Sequence, residues 1–213
     1  MLKAMFLMGI AAAVAGAENP VLTLTGTADA AGTIKIDVLR WSSDEDRDRL
    51  ISAWTQPAPA APKPPQGRGG GRGGRAGARG GNPGEPAAPK TPESALAEAL
   101  AAAPTIGYLW SSSEVSGYAL RFAARYAEQD GSERIVLITD RPLGAWNDVW
   151  KSAALAGSPK YDFSLIELRL KPKAAGEGKT SLAGTIALDA AAKSFGLANY
   201  AAAPVTLKNL APR

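Results

Sequence analysis

The chain has 213 residues, with 24 Lys and Arg against 20 Asp and Glu, and neither Cys nor His. The missing Cys excludes disulfides, a lipid-modified N-terminal cysteine and thiol chemistry. The missing His excludes Ser-His-Asp and Cys-His arrangements and histidine-ligated metal, so no metal site and no cofactor are expected.

At the start, Lys3 precedes the uncharged apolar run AMFLMGIAAAVA, and Ala15 and Ala17 stand just before Glu18. A positive start, a short apolar stretch and an A-x-A site predict a secretory signal peptide over residues 1–17. The run is shorter than the roughly 20 apolar residues of a membrane-spanning helix, and no second run is long enough. The expected product, residues 18–213, is secreted or periplasmic, has no transmembrane segment and forms one α+β domain.

VLTLTGT and GTIKIDVLRW read as strands, with DAAG turning the chain between them. The second alternates, Ile34, Ile36 and Val38 on one face and Lys35 and Asp37 on the other. SSDEDRDRLISAW reads as a helix. Ser43 is its N-cap, with Asp46 in the capping-box position, and Asp44, Glu45 and Asp46 complement the positive end of the dipole. Leu50, Ile51 and Trp54 share one face. Asp44, Asp46 and Asp48 imitate the spacing of a calcium loop, but Arg49 and Thr55 stand where that loop needs Gly and Glu.

Residues 57–90 are almost only Pro, Ala, Gly, Arg and Lys, without an aromatic or branched aliphatic side chain. Such a stretch cannot bury enough apolar surface to offset its ordering entropy, and it is expected to be disordered. Lys63, Arg68, Arg72, Arg75, Arg79 and Lys90 oppose a single carboxylate, Glu85, so this segment alone exceeds the net +4 of the whole chain. The rest is therefore acidic, and the basic character belongs to a tether. Arg68, Arg72, Arg75 and Arg79 are candidate polyanion-binding residues, with an anionic envelope polymer or lipid as the matching partner. No aromatic is interleaved for base stacking, so specific nucleic-acid binding is not expected. A solubilising insertion is the plainer reading. After it, TPESALAEALAAAP starts a helix capped by Thr91, opened by Pro92 and stopped by Pro104, with Leu96 and Leu100 as its apolar stripe. The insertion then joins two helices of one domain, because the piece before it is too small for its own core.

VSGYALRFAARYAE puts Tyr118, Leu120, Phe122, Ala124 and Tyr126 on one face of a strand and Arg121 and Arg125 on the other. A helix competes, but Gly117 and the period of two favour the strand. Asp130 and Gly131 mark a hairpin into ERIVLITD. In YDFSLIELRL the apolar phase changes between Leu165 and Ile166, which predicts a bulge or a passage between sheet layers. GEGKT imitates the end of a phosphate-binding loop, but Lys173 stands where the first Gly is required, so a turn between two strands is expected. TSLAGTIALD, SFGLANY and PVTLKNL complete about eight strands. Mostly short turns predict an antiparallel sheet, bent or closed into a sandwich or barrel, with two or three short helices.

Asp140, Asp148, Glu114 and Glu167 leave open a carboxylate-based hydrolase acting on carbohydrate-like material, although no catalytic residue is assigned. Trp41, Trp110, Trp146 and Trp150 are expected at strand ends or in loops. TDRPLGAWNDVW is the densest polar and aromatic stretch, and Asp140, Arg141, Trp146 and Trp150 form a candidate ligand-binding patch, the two Trp four apart on a short helix. The competing reading is that both Trp cap the core.

The stretches IDVLRWSSDEDRDRL, ERIVLITDRPLGAW, YDFSLIELRL, GEGKTSLAGTIAL and NYAAAPVTLKNL resemble a group of exported bacterial proteins of unknown function. The resemblance implies no activity and assigns no functional residue. An exported, non-catalytic binding or structural module is the leading expectation. The carboxylate hydrolase and a surface adapter that holds polyanions through the Arg-Gly segment are its alternatives.

Overall fold

The computed structural model describes residues 19–57, 90–172 and 174–213. The expected signal peptide and the basic insertion with Arg68, Arg72, Arg75 and Arg79 lie outside the described residues. In chain order come β1 (Leu22–Ala28), β2 (Gly32–Val38), α1 (Asp44–Thr55), α2 (Pro92–Ala101), β3 (Gly107–Ser111), β4 (Tyr118–Ala127) and β5 (Glu133–Thr139). A 3₁₀ turn (Lys151–Ala153), β6 (Leu165–Leu170), β7 (Gly176–Thr180), β8 (Ile186–Asp189), β9 (Ser194–Leu197) and β10 (Leu207–Pro212) follow. The fold is α+β. Eight antiparallel strands close into a barrel in the order β1-β10-β7-β6-β5-β4-β3-β2, and β8 and β9 form a separate hairpin.

Local chemistry sets the element ends as the sequence implies. The Ser43 side chain accepts from Asp46 N and the Asp46 carboxylate accepts from Ser43 N, closing the capping box of α1. Thr91 caps α2 with Pro92 in its first turn. Gly131, at φ +79°, turns β4 into β5, and Asp130 Oδ1 accepts from Ser132 N.

Two apolar clusters share one wall. Inside the barrel, Leu24, Ile34, Ile36, Leu109, Leu120, Ile135, Leu137, Ile166, Leu168, Leu207 and Leu210 fill the lumen. Outside it, Leu50 of α1 and Leu96 and Leu100 of α2 pack with Phe122, Val136, Ile138, Leu165 and the hairpin residues Ile186, Phe195 and Leu197. The strands β4, β5 and β6 therefore lie between two cores. A strand buried on both faces reads as a continuous apolar run, which is what ERIVLITD is.

This double burial corrects two expectations. YDFSLIELRL contains no bulge, and β6 keeps an unbroken register with β5 and with β7. Tyr161, Phe163 and Leu165 face the outer core, Ile166 and Leu168 the inner one, and both sets are apolar because both faces are covered. The irregularity lies instead in β4, where the register shifts between Leu120 and Phe122. Tyr118, Leu120 and Ala123 point into the barrel, whereas Phe122, Ala124 and Tyr126 join the outer core, so the single apolar face read from the sequence is two.

GEGKT is a strand and not a turn; the turn follows it, at residues 181–185. Its glycines are a packing requirement. A Cβ at Gly176 would stand 2.5 Å from Leu170 Cδ2, and one at Gly178 would stand 2.6 Å from Leu168 Cδ2 and 3.1 Å from Leu207 Cβ. The neighbouring β10 is bulged. Leu207 pairs with Gly178 and Leu210 with Gly176, so one extra residue is absorbed, and Asn209 takes a left-handed φ of +56°. The bulge turns both Leu207 and Leu210 inward, over Gly176 and Gly178 on one side and Gly26 of β1 on the other.

Candidate functional site

A filled lumen leaves the outer surface to carry function. At one barrel end a recess beside Trp150 has a volume of about 60 Å³, well below the roughly 300 Å³ at which small-molecule sites begin. Among the described residues no helix is long and apolar enough to cross a membrane, and no cluster of three or more Asp and Glu is placed to hold a metal ion.

The predicted patch is assembled in part. Arg141 pairs with Asp140 at 3.0 Å and donates to Gly117 O at 2.7 Å. Its guanidinium lies 3.9 Å from the Trp146 ring centre and 4.5 Å from that of Tyr118, between the two rings. Trp146 is 72% exposed. Trp150 does not join this surface. It is 2% exposed and packs into the inner core. Nor do the two Trp share a helix. Residues 141–150 are turns and bends, and the 3₁₀ turn starts only at Lys151. Gly144, at φ +79°, breaks any helical course there.

What holds this loop is Glu114, in the turn between β3 and β4. Its carboxylate accepts from Tyr118 Oη at 2.6 Å, from Asn147 Nδ2 at 2.8 Å and from Trp150 Nε1 at 2.8 Å. Tyr118 Oη in turn accepts from Gly144 N at 2.9 Å. Burial first, and then the bond to Glu114, push the Tyr118 phenol up to about 12. The neutral phenol therefore stabilises the fold fully below its ordinary value of 10.0, and that contribution is lost as the pH rises through about 12.

The other carboxylates are engaged as well. Asp140 Oδ1 accepts from Ala119 N. Glu167, buried on the outer wall, accepts from Leu197 N at 2.9 Å and from Arg169 Nη2 at 3.2 Å. It thereby fastens the β8–β9 hairpin to the barrel, helped by Arg134, which donates to Phe195 O and Ser194 Oγ and pairs with Glu128. In the groove under this hairpin, about 510 Å³, Arg134 pairs with Glu128 and Arg169 with Glu167, while Asp189 accepts from Ala192 N. Asp148 is exposed and pairs with Lys151.

The sequence reading missed the surface that stands out most. β3, not recognised as a strand, alternates buried Gly107, Leu109 and Ser111 with exposed Tyr108 and Trp110. The two rings lie side by side, with centres 5.2 Å apart and planes 31° from parallel. Antiparallel register builds two rows across the wall. Thr23, Asp37, Tyr108 and Ala119 form one row; Thr25, Lys35 and Trp110 form the other. Gly117 borders Trp110, and a Cβ there would stand 2.5 Å from Trp110 Nε1, so the ring rests on bare backbone. Gly117 O also receives Arg141, which links the β3 rings to Trp146. Among the described residues, four of the six exposed large apolar side chains, Tyr108, Trp110, Val115 and Trp146, thus belong to β3, the β3–β4 turn and the loop that Arg141 ties to it. The signal in the sequence was GYLWS itself, a strict alternation of small or apolar with aromatic residues.

No family model matches the chain, and no curated protein or solved structure matches it either.

Proposed function

We propose that this is an exported, non-catalytic binding module that contacts its ligand through the outer aromatic face of β2, β3 and β4. The observation that carries the reading is the exposed side-by-side pair Tyr108 and Trp110, joined through Gly117 to Arg141 and the exposed Trp146. Trp, Tyr and Arg are the residues that dominate binding hot spots. The hydrolase reading is weaker because Glu114, Glu167 and Asp140 already accept hydrogen bonds that hold loops and the hairpin. In this reading the basic insertion solubilises and is not the binding element.

Co-sedimentation with an insoluble cell-envelope fraction tests this. The full chain is expected to sediment, and the double variant Tyr108→Ala, Trp110→Ala to stay in solution with an unchanged melting temperature. Deletion of residues 66–81 is expected to leave sedimentation intact. Loss of binding on that deletion, with the aromatic variant unaffected, would instead support the polyanion adapter.

A further inference from the structure

We infer that the aromatic face binds a neutral glycan chain, an inference that rests on the binding reading above. The surface is amphipathic on a fine scale. Two half-exposed rings lie side by side, and directly across the strand pairing stand Lys35 opposite Trp110 and Asp37 opposite Tyr108. A sugar ring has the same character, with C–H faces that stack on aromatic rings and a rim of hydroxyls that donate and accept. Lys35 and Thr25 can meet that rim, whereas Asp37 is buried and holds Lys35 and the Thr23 hydroxyl in place. Lys35 Nζ carries donors and lies 5.6 Å from the Trp110 ring centre, and Thr23 and Thr25 continue the rows toward β1.

Charge argues against an anion. Lys35 is paired with Asp37 at 2.7 Å and Arg141 with Asp140 at 3.0 Å, and Glu114 adds a further negative group behind Tyr118. The two cations beside the rings are thus compensated. Arg213, in no ion pair among the described residues, stands only at the far end of the row, where its backbone N–H donates to Thr23 O. A phosphate-rich or sulfated polymer would therefore gain little at the rings. Shape argues against a protein partner. Binding anchors in protein interfaces insert into well-packed pockets, and a stable interface buries roughly 800 Å² on each side. The face is instead a shelf on a sheet. The grooves of appreciable volume do not include Tyr108 or Trp110 in their walls: one lies under the β8–β9 hairpin, one of about 410 Å³ lies between α1 and α2, and one of about 440 Å³ runs from the Pro142–Ala145 loop, next to Trp146, to Phe163. Gly117 seats the Trp110 ring against bare backbone and Ala119 stands small across from Tyr108, so an extended chain can lie across the two rings.

The test titrates the full chain with neutral hexasaccharides of glucose and of N-acetylglucosamine, and with heparin and a tryptophan-free peptide mixture, followed by calorimetry and tryptophan fluorescence. At least one neutral hexasaccharide is expected to saturate, with an affinity that changes little between low and high salt. Trp110→Ala should weaken it by about tenfold, in keeping with the energy of one aromatic contact. Gly117→Val, which drives a side chain into Trp110, should weaken it similarly by an independent route. Heparin binding tighter than either neutral sugar, and lost at high salt, would overturn the inference. So would the failure of both neutral sugars. If envelope sedimentation remained dependent on Trp110 in that case, the ligand class would be wrong and the binding face right; if it did not, both readings would fall.

Discussion

Gly178→Val is expected to cost about 3 kcal/mol or more, a large share of the ~5–15 kcal/mol that holds a typical domain together. Valine favours strands, so the loss does not come from the backbone. It comes from the Cβ, which would meet Leu168 Cδ2 at 2.6 Å and Leu207 at 3.1 Å in a lumen without spare volume. Gly178→Ala should cost less, because it adds the Cβ without the branch. Combining Gly178→Val with Leu168→Ala should lose less than the sum of the single changes, since truncating Leu168 removes the closest contact. Denaturant unfolding of the parent and the four variants checks this. Additive losses would show that the glycine is not there to make room for the leucine, and the account of barrel closure would fail.

Replacing Glu114 with Ala is the second large effect, about 3 kcal/mol. One carboxylate serves three donors on Tyr118, Asn147 and Trp150, and both Tyr118 and Trp150 are only 2% exposed. Removing it leaves the Tyr118 and Trp150 donors buried without an acceptor. Glu114→Gln should fall between, because a single amide oxygen cannot replace both carboxylate oxygens. The loop from Asp140 to Trp150 should loosen, and Trp150 fluorescence should shift to the red as water reaches the ring. Thermal unfolding and emission spectra of the three chains read both effects. A variant as stable as the parent would return Glu114 to the pool of catalytic candidates, because a carboxylate held for chemistry is commonly a liability to stability.

The legible parts of the sequence were those governed by local rules. Ser43, Asp46, Thr91, Pro92 and Gly131 act within a few residues of themselves, and each does what its position implied. The antiparallel α+β class followed from alternation and short turns. What could not be read depended on what covers each strand. An apolar residue in β5 or β6 looks the same whether it faces the lumen or the helices, so in the sequence two cores look like a change of phase. The glycines of β7 were read as a turn because their reason to exist, Leu168, Leu170, Leu207 and Leu210, sits on other strands. The patch suffered in the same way. Asp140, Arg141 and Trp146 are close in sequence and stayed together. Trp150 was lost to the core through Glu114, thirty-six residues away. Tyr108 and Trp110 join the patch through Gly117, which seats the Trp110 ring and accepts from Arg141, twenty-four residues further on.

Amide chemical-shift mapping of the full chain during titration with a neutral glucose hexasaccharide addresses the central claim most directly. The prediction is a contiguous set of shifts on Lys35, Tyr108, Trp110, Gly117, Ala119 and the Trp110 indole, with the hairpin groove around Ser194 to Leu197 silent. Shifts centred on that groove, or saturation with Tyr108 and Trp110 unmoved, would contradict it.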